Sequence, residues 1–129
     1  MRVYAEISFV ARMPGDQKFC TVVYRSNIQL MARILENFDG FDWDEGNSNK
    51  NWYLHRVTDS ESEEIFSNRP LIVALDKSRK SKEQRYLAMG KTNSDRHLYV
   101  AFTIRADLLR IISVRDMTRG EERKYEEKA

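Results

Sequence analysis

The chain is poor in cysteine, histidine, proline and glycine, and the first two shortages exclude whole classes of protein. Among its 129 residues there is one cysteine and there are two histidines. The lone Cys20 excludes an internal disulfide framework and a multi-cysteine metal site. We expect it to be a small, half-buried apolar residue in a strand. His55 and His97 have no partner at helical ligand spacing, so we expect neither a metal nor another cofactor.

Long apolar segments are also missing. The longest uncharged apolar runs, such as residues 71–75, are far too short to cross a bilayer. Arg2, Glu6 and Arg12 interrupt the start of the chain, so we expect no signal peptide and no membrane association. Glycine-rich phosphate loops and nucleophile-elbow motifs are absent as well, which argues against nucleotide binding and acyl transfer. Together these absences predict a cytoplasmic protein.

The chain does have many charges, and they are unevenly placed. Charged residues make up 33% of a chain whose length fits one domain with a substantial core. Residues 1–68 hold 7 Lys/Arg and 11 Asp/Glu, a net of −4, whereas residues 69–129 hold 15 and 9, a net of +6. The asymmetry fits a polyanion-binding surface on the second half, and it fits equally a solvated surface whose charges cluster.

The first forty residues predict a β-hairpin followed by a helix. Alternate positions are apolar, which is the period of a strand: Val3, Ala5, Ile7 and Phe9. Residues 13–16 have turn chemistry, and residues 19–24 form a β-rich return strand. Ser26 can cap a helix whose apolar residues recur at helical spacing through Phe38.

The remaining residues predict an α+β arrangement. Asp44 could cap a short helix that reaches Arg56, and residues 60–63 have the spacing of a capping box that opens a second helix. Strands are predicted at four places, of which the last three have connections short enough for antiparallel pairing: 71–75, 85–90, 98–104 and 108–115. Apolar residues at both parities of the last two strands predict a sheet covered on much of both faces. Thr118 and Glu121 form a capping box for a final charged helix.

Four arginines lie on or at the ends of these neighbouring strands: Arg85, Arg105, Arg110 and Arg115. Strands lie about 5 Å apart, so side chains on one face can converge on one ligand. A guanidinium suits phosphate because its planar fork donates two hydrogen bonds and stays charged. The alternative is a structural ion pair with a nearby carboxylate. Positions 110 and 115 differ by an odd number, so a regular strand points them to opposite faces, and we expect Arg115 rather than Arg110 to face the ligand.

Acid–base candidates are few. An imidazole titrates near neutral pH, which suits His55 to proton transfer, although it could equally cap a helix end. His97 is expected in an exposed turn. Glu83 could act as a base or pair with Arg85. A basic cluster in the loop before Glu83 can track an RNA backbone or be a solvated surface: Lys77, Arg79, Lys80 and Lys82.

An ordered set of residues in the second and larger part of the chain carries a resemblance to a known family. The set is Phe41-Asp42-Trp43-Asp44, Asn51, His55, Val57, Glu83-Gln84-Arg85-Tyr86, Gly90, Thr103, Arg105, Arg110-Ile111-Ile112-Ser113-Val114-Arg115, Glu122 and Tyr125. It resembles BrnT, the toxin of a type II toxin–antitoxin pair with a RelE-like ribonuclease fold. Two positions depart from the family pattern, which usually has Lys where Asn47 stands and Gly where Arg56 stands.

The resemblance implies a RelE-like α+β domain over residues 41–129, with an antiparallel sheet, N-terminal helices and a C-terminal helix. Residues 1–40 lie outside it, as an additional hairpin-plus-helix extension. Met31 stands about where a family member would begin. Residues 1–30 are therefore either translated from an upstream start or a genuine part of the structure, and their turn and helix patterning favours the second.

The resemblance also implies metal-independent RNA cleavage that inhibits translation, in which a ribose 2′-hydroxyl attacks the adjacent phosphate. Arg85, Arg105 and Arg115 would then contact the phosphate or stabilise the transition state, and His55 or Glu83 would transfer the proton. The implied partners are an RNA substrate and a BrnA-like antitoxin, with a homodimer as one arrangement of the complex. The alternative function is a non-catalytic domain that binds antitoxin or nucleic acid.

Overall fold

The computed structural model describes residues 6–12, 18–24, 38–76 and 83–128, with side chains for 38–76 and 83–127. These ranges contain seven strands and three helices, and the chain is α+β as predicted. The elements in chain order are β1 (Glu6–Arg12), β2 (Lys18–Tyr24), β3 (Gly40–Phe41), α1 (Lys50–His55), α2 (Asp59–Glu64), β4 (Leu71–Leu75), β5 (Tyr86–Lys91), β6 (His97–Arg105), β7 (Leu108–Asp116) and α3 (Arg119–Lys128).

The strands form one sheet in the order β1-β2-β4-β5-β6-β7-β3. Strands β5, β6 and β7 pair antiparallel in turn, as their short connections predicted, and β4 pairs antiparallel with β5. The pairs β2–β4 and β3–β7 are parallel, so the sheet is mixed rather than purely antiparallel. Both parallel pairs join strands that are far apart in the chain, with α1 and α2 in the connection, which is what parallel pairing requires.

The N-terminal extension is described only in part. Strands β1 and β2 pair antiparallel over their whole length. Their connection, the side chain of Cys20 and most of the helix predicted between Ser26 and Phe38 lie outside the described residues. The hairpin-plus-helix arrangement and the domain boundary at residue 40 therefore stay predictions.

The hydrophobic core lies between one face of the sheet and the layer of α1 and α2. Alternate residues of β6 and β7 supply the sheet side of this core face: Leu98, Val100, Phe102, Leu109, Ile111 and Val114. Val57, Ile65 and Phe66 supply the helical side, and the Phe66 ring meets Phe102 edge-on at 5.2 Å between centroids. A smaller cluster around Tyr125 of α3 covers one end of the opposite face. Coverage of both faces is thus confirmed only at that end.

The helix boundaries differ from two of the three predicted caps that lie within the described residues. The first helix starts after Asn49 rather than Asp44, because Asp44 instead accepts a hydrogen bond from the backbone N–H of Gly46 within a turn (2.8 Å). The second capping box is formed by Thr58 with Glu61, not within residues 60–63. The box of Thr118 and Glu121 at the start of α3 is confirmed.

Two asparagines cover the outer edge of β7, which β3 reaches only at Leu108 and Leu109. Asn47 donates its amide to the backbone oxygen of Ile111 (3.0 Å), and Asn51 accepts from the backbone N–H of Val114 (2.9 Å). Asn47 is buried, so this position, where the family usually has lysine, supplies an internal hydrogen bond rather than a surface cation. Within the described ranges, no helix is long and apolar enough to span a bilayer.

Candidate active site

A β-bulge brings the predicted arginines to one face of the sheet. In the β6–β7 register Thr103 pairs with Arg110 and Tyr99 with Arg115, while Ile112 has no partner. The extra residue reverses the alternation along β7, so both arginines lie on the face opposite the core. The prediction that they point to opposite faces is wrong, because it assumed a regular strand.

We call this surface the site face, defined by Arg85, Arg105, Arg110 and Arg115. Arg105 lies on the same face of β6 as Thr103 and Tyr99, because the three positions differ by even numbers. Arg85 directly precedes Tyr86, whose side chain is buried in the core cluster. Alternation therefore turns Arg85 to the other side of the sheet.

Arg105 and Glu83 form a two-bond ion pair at one end of the site face. The Arg105 Nε atom donates to Glu83 Oε2 at 2.5 Å, and Nη2 donates to Oε1 at 3.0 Å. The Arg105 side chain is 51% exposed, so a ligand can reach it. The pairing raises the pKa of Arg105 and lowers the pKa of Glu83, mainly through this hydrogen bond. Glu83 is thus held as an anion beside a cation that solvent can reach.

Arg110 lies at the same end but is enclosed, with only 13% of its side chain exposed. It donates to both carboxylate oxygens of Asp44, at 3.0 and 2.9 Å, and lies 3.4 Å from Asp42. The hydrogen bond from Arg110 lowers the pKa of Asp44. Arg110 therefore connects the segment after β3 to the sheet. This is the structural ion pair that the sequence suggested as the alternative to phosphate binding.

Arg85 has a buried hydrogen-bond donor that lacks an acceptor among the described residues. Its Nε is buried and has no hydrogen-bond partner among the described residues. Thr103 donates to the backbone oxygen of Gln84 at 2.6 Å, which fixes the chain just before Arg85. A buried guanidinium donor without an acceptor is costly, and an anion bound at this end would satisfy it.

Arg115 lies at the other end of the site face. Its guanidinium lies 4.4 Å from the centroid of the Tyr99 ring and donates to both oxygens of Glu121 at 2.8 and 2.9 Å. Glu121 also accepts from the backbone of Thr118, so the cap of α3 and the orientation of Arg115 share one carboxylate. Tyr99, the partner of Arg115, lies four residues from Thr103 and six from Arg105 on β6. Arg115 is therefore about 13 Å from Arg110 and about 20 Å from Arg105 along the strands.

Several predicted site residues are not found on this face. His55 ends α1 in the helical layer, where its backbone oxygen accepts from Arg96 at 3.3 Å. Helix α1 packs beside the outer edge of β7, and the His55 side chain interacts there with the carboxylate of Asp116, next in sequence to Arg115. Among the described side chains, the arginines of the site face bond to Glu83, Asp44 and Glu121 and not to His55. The predicted RNA-binding cluster lies outside the described residues: Lys77, Arg79, Lys80 and Lys82.

Sequence reasoning missed Arg96, in the turn between β5 and β6. Arg96 donates to Asp116 at 2.7 and 3.0 Å, approaches Glu61 at 3.3 Å and donates to the backbone oxygen of Arg56 at 2.9 Å. These carboxylates raise its pKa. No local signal marks this residue, because its partners stand 20 to 40 positions away in the chain.

The sequence predicted His97 in an exposed turn, and this prediction is wrong. His97 begins β6 and is largely enclosed by α3. Its Nδ1 makes a short hydrogen bond with Glu122, and its ring meets Tyr125 at 5.1 Å between centroids. The Tyr125 hydroxyl donates to the backbone oxygen of Pro70 at 2.6 Å. His97 and Tyr125 therefore fasten α3 to one end of the sheet. Among the side chains that the structure describes, no group of three or more His, Cys, Asp or Glu could hold a metal ion.

The comparison with protein families matches the part of the chain that contains these arginines. The family model of BrnT, the ribonuclease toxin of type II toxin–antitoxin systems, matches residues 43–121. This range contains the whole site face and begins two residues after Phe41, where the resemblance in the sequence begins. No curated protein matches the chain. Because the family match covers more than half of the chain, the protein belongs to the BrnT family of ribonuclease toxins.

Proposed function

We propose that the protein is an endoribonuclease that cleaves RNA without a metal ion, by attack of a ribose 2′-hydroxyl on the adjacent phosphate. The observation that carries this proposal is the bulge at Ile112, which puts Arg115 on the same face as Arg105. The charge of Arg85, just before β5, acts on Glu83 beside Arg105. Attack adds negative charge to the phosphate, and fixed guanidinium donors stabilise such charge in the transition state. The family of ribonuclease toxins supports the reaction class.

The two ends of the site face suggest separate roles for the arginines. Arg85 and Arg105 lie at one end, and Arg85 has there a donor without a partner among the described residues. We assign the scissile phosphate to this pair. Arg115 lies about 20 Å from Arg105 along β6, too far to share that phosphate, so it contacts a phosphate further along the strand.

Of the two candidates for proton transfer, Glu83 and His55, Glu83 is the better one. It bonds to Arg105 on the site face, whereas His55 lies in the helical layer. The hydrogen bond from Arg105 lowers the pKa of Glu83 and makes it a weak base. A phosphate that takes the donors of Arg105 removes this cause and raises the pKa. Binding of RNA would therefore turn Glu83 into a stronger base at the moment when a base is needed.

The biological role follows from the same family. A type II toxin has a protein antitoxin, and we propose a BrnA-like protein as this partner and inhibition of translation as the outcome of cleavage. If this chain forms a homodimer, it does so within a toxin–antitoxin complex that contains two copies of the toxin.

The test is incubation of the purified chain with single-stranded RNA in the presence of EDTA. We expect cleavage with 2′,3′-cyclic phosphate ends, and a loss of about 10²–10³-fold in rate for Arg105→Ala. Arg123→Ala is the matched control, since it removes an exposed arginine from α3 and leaves the site face intact. RNA that stays intact with a folded wild-type chain contradicts the proposal.

One observation favours the alternative, a domain that binds nucleic acid or antitoxin without cleavage. Arg105, Arg110 and Arg115 already have carboxylate partners, each through two hydrogen bonds. Such pairs fit a rigid binding surface as well as a catalytic one. RNA that is bound by the wild type and released by Arg105→Ala, but never cleaved, would establish this second function.

A further inference from the structure

Helix α1 has large hydrophobic side chains on its solvent side. Trp52 is 41% exposed, Tyr53 78% and Leu54 64%, which makes them the exposed large hydrophobic residues of the described chain. Neither the core nor the site face uses these side chains. A helix with this much apolar surface in water indicates a binding partner.

The charged residues of the helix segment itself, residues 50–56, are of one sign. Lys50, His55 and Arg56 belong to the same segment, and residues 50–56 contain no acid. The guanidinium of Arg56 lies 5.3 Å from the centroid of the Trp52 ring. Aromatic planes interleaved with cations are what single-stranded nucleic acid requires, because bases stack on the rings and phosphates contact the cations.

The carboxylates nearest to α1 are already engaged. Asp59 accepts from the Ser48 hydroxyl at 2.7 Å and from the backbone N–H of Asn49 at 3.0 Å. Asp116 accepts from Arg96. These hydrogen bonds reduce the repulsion that a phosphate would meet on approaching the helix.

Helix α1 lies beside the edge of the sheet that is nearest to Arg115. Asn51 of α1 is bonded to the backbone N–H of Val114 on the outer edge of β7, and the next residue, Arg115, lies on the site face. A single strand that runs from Arg85 to Arg115 moves from β5 toward β7, and therefore toward the edge beside which α1 lies. Charge and position together favour RNA over a protein as the occupant.

We propose that α1 is a second RNA contact, on which unpaired bases beyond Arg115 stack against Tyr53 and Trp52 while Lys50 and Arg56 contact phosphates. This inference rests on the proposed function, since it requires RNA on the site face. Leu54 has neither a π-face nor a charge, so it takes no part in base stacking. A protein partner, in contrast, would use Leu54 together with Tyr53.

The test measures binding of the full chain to single-stranded 2′-O-methyl RNA, which lacks the attacking hydroxyl and stays intact. A long strand reaches both surfaces, and a short one covers the site face alone. Tyr53→Ala should weaken binding of the long strand about tenfold and leave the short strand unaffected. Tyr53→Phe keeps the ring and should bind like the wild type. Leu54→Ala is the matched control and should also bind like the wild type.

Three outcomes overturn the inference, and they differ in what else they overturn. Equal long-strand binding by wild type and Tyr53→Ala removes α1 as an RNA contact but leaves the proposed function standing. Loss of binding to a BrnA-like antitoxin in both Tyr53→Ala and Leu54→Ala, with RNA binding unchanged, assigns the surface to a protein. A wild-type chain that binds neither strand overturns the inference and the proposed function together.

Discussion

The two faces of the central sheet are built from the same strands, yet their side chains have opposite surroundings. On the core face, Phe102, Ile111 and Val114 are completely enclosed by other apolar groups. On the site face, Arg105, Arg110 and Arg115 each have a carboxylate from a segment outside the sheet. The comparison shows that an apolar strand can carry several arginines when loops and a helix supply the counter-charges.

Deletion of Ala101 should have the largest effect, because the loss of one residue from a regular strand reverses the alternation beyond it. In such a variant Phe102 turns to the site face, while Thr103 and Arg105 turn into the core. We expect a loss of about 4 kcal/mol or more in the free energy of unfolding, measured by urea denaturation. Deletion of Ile112 is the control, because it removes the unpaired residue and leaves Val114 and Arg115 on their present faces. A deletion of Ala101 that is as well tolerated as the deletion of Ile112 would show that alternation does not fix the two faces.

Phe102→Ala and Arg105→Ala compare the faces on a single strand. Phe102→Ala should lower the free energy of unfolding by about 3–5 kcal/mol, because it leaves a cavity beside Phe66. Arg105→Ala should leave the unfolding midpoint almost unchanged, since its ion pair is exposed. The same denaturation curves measure both, and similar midpoints for the two variants would contradict the division between the faces.

The pairing of Glu121 with Arg115 should give stability that depends on pH. The hydrogen bond from Arg115 lowers the pKa of Glu121 below its ordinary value of 4.5. The pair therefore stabilises the fold above that value, and its contribution disappears as the pH falls through the lowered pKa.

The pH dependence is measured by comparing thermal unfolding of the wild type and Glu121→Gln. The wild type should be more stable by at most about 1 kcal/mol near neutral pH. This difference should vanish in acid well below the ordinary value of 4.5. Glu126→Gln, which removes an exposed carboxylate from the same helix, should show no such trend. A difference that persists in acid would mean that the charge of Glu121 is not its cause.

The smallest effect is expected at Arg56, which belongs to neither face. Arg56 ends α1 with φ 56° and ψ 41°, in the left-handed region where the family's usual glycine is unstrained. Arg56→Gly should raise the free energy of unfolding by about 0.5–1 kcal/mol. Arg56→Ala keeps the strain and should give no gain. Equal melting temperatures for the two variants would place the backbone strain elsewhere.

The strands of the sheet could be predicted from sequence, because alternating apolar residues and short connections are local signals. The predicted strands at 98–104 and 108–115 differ from the observed β6 and β7 by one residue at the ends. The bulge could not be predicted, because Ile112 has the same β-propensity as its neighbour Ile111. Which residue is left unpaired depends on the partner strand, and hence on tertiary structure.

The site could be predicted only in part, for a similar reason. The resemblance to BrnT selected Arg105 and Arg115, which the structure places on one face, and Arg85, which directly precedes β5. It also selected His55, which ends a separate helix beside the outer edge of β7. Spacing in sequence gives the face of a regular strand, but it does not give the side of the sheet on which a separate helix packs.

The two asparagines on the outer edge of β7 have a consequence for association between molecules. An uncovered edge strand is a template on which another chain can add a strand and begin to aggregate. Asn47 and Asn51 occupy the positions where such a strand would bond to Ile111 and Val114. Asn51 does so although its own Nδ2 is buried without a partner among the described residues. One possible hydrogen bond, that of Asn51 Nδ2, is therefore not made, while the two asparagines block this edge against intermolecular β-sheet growth.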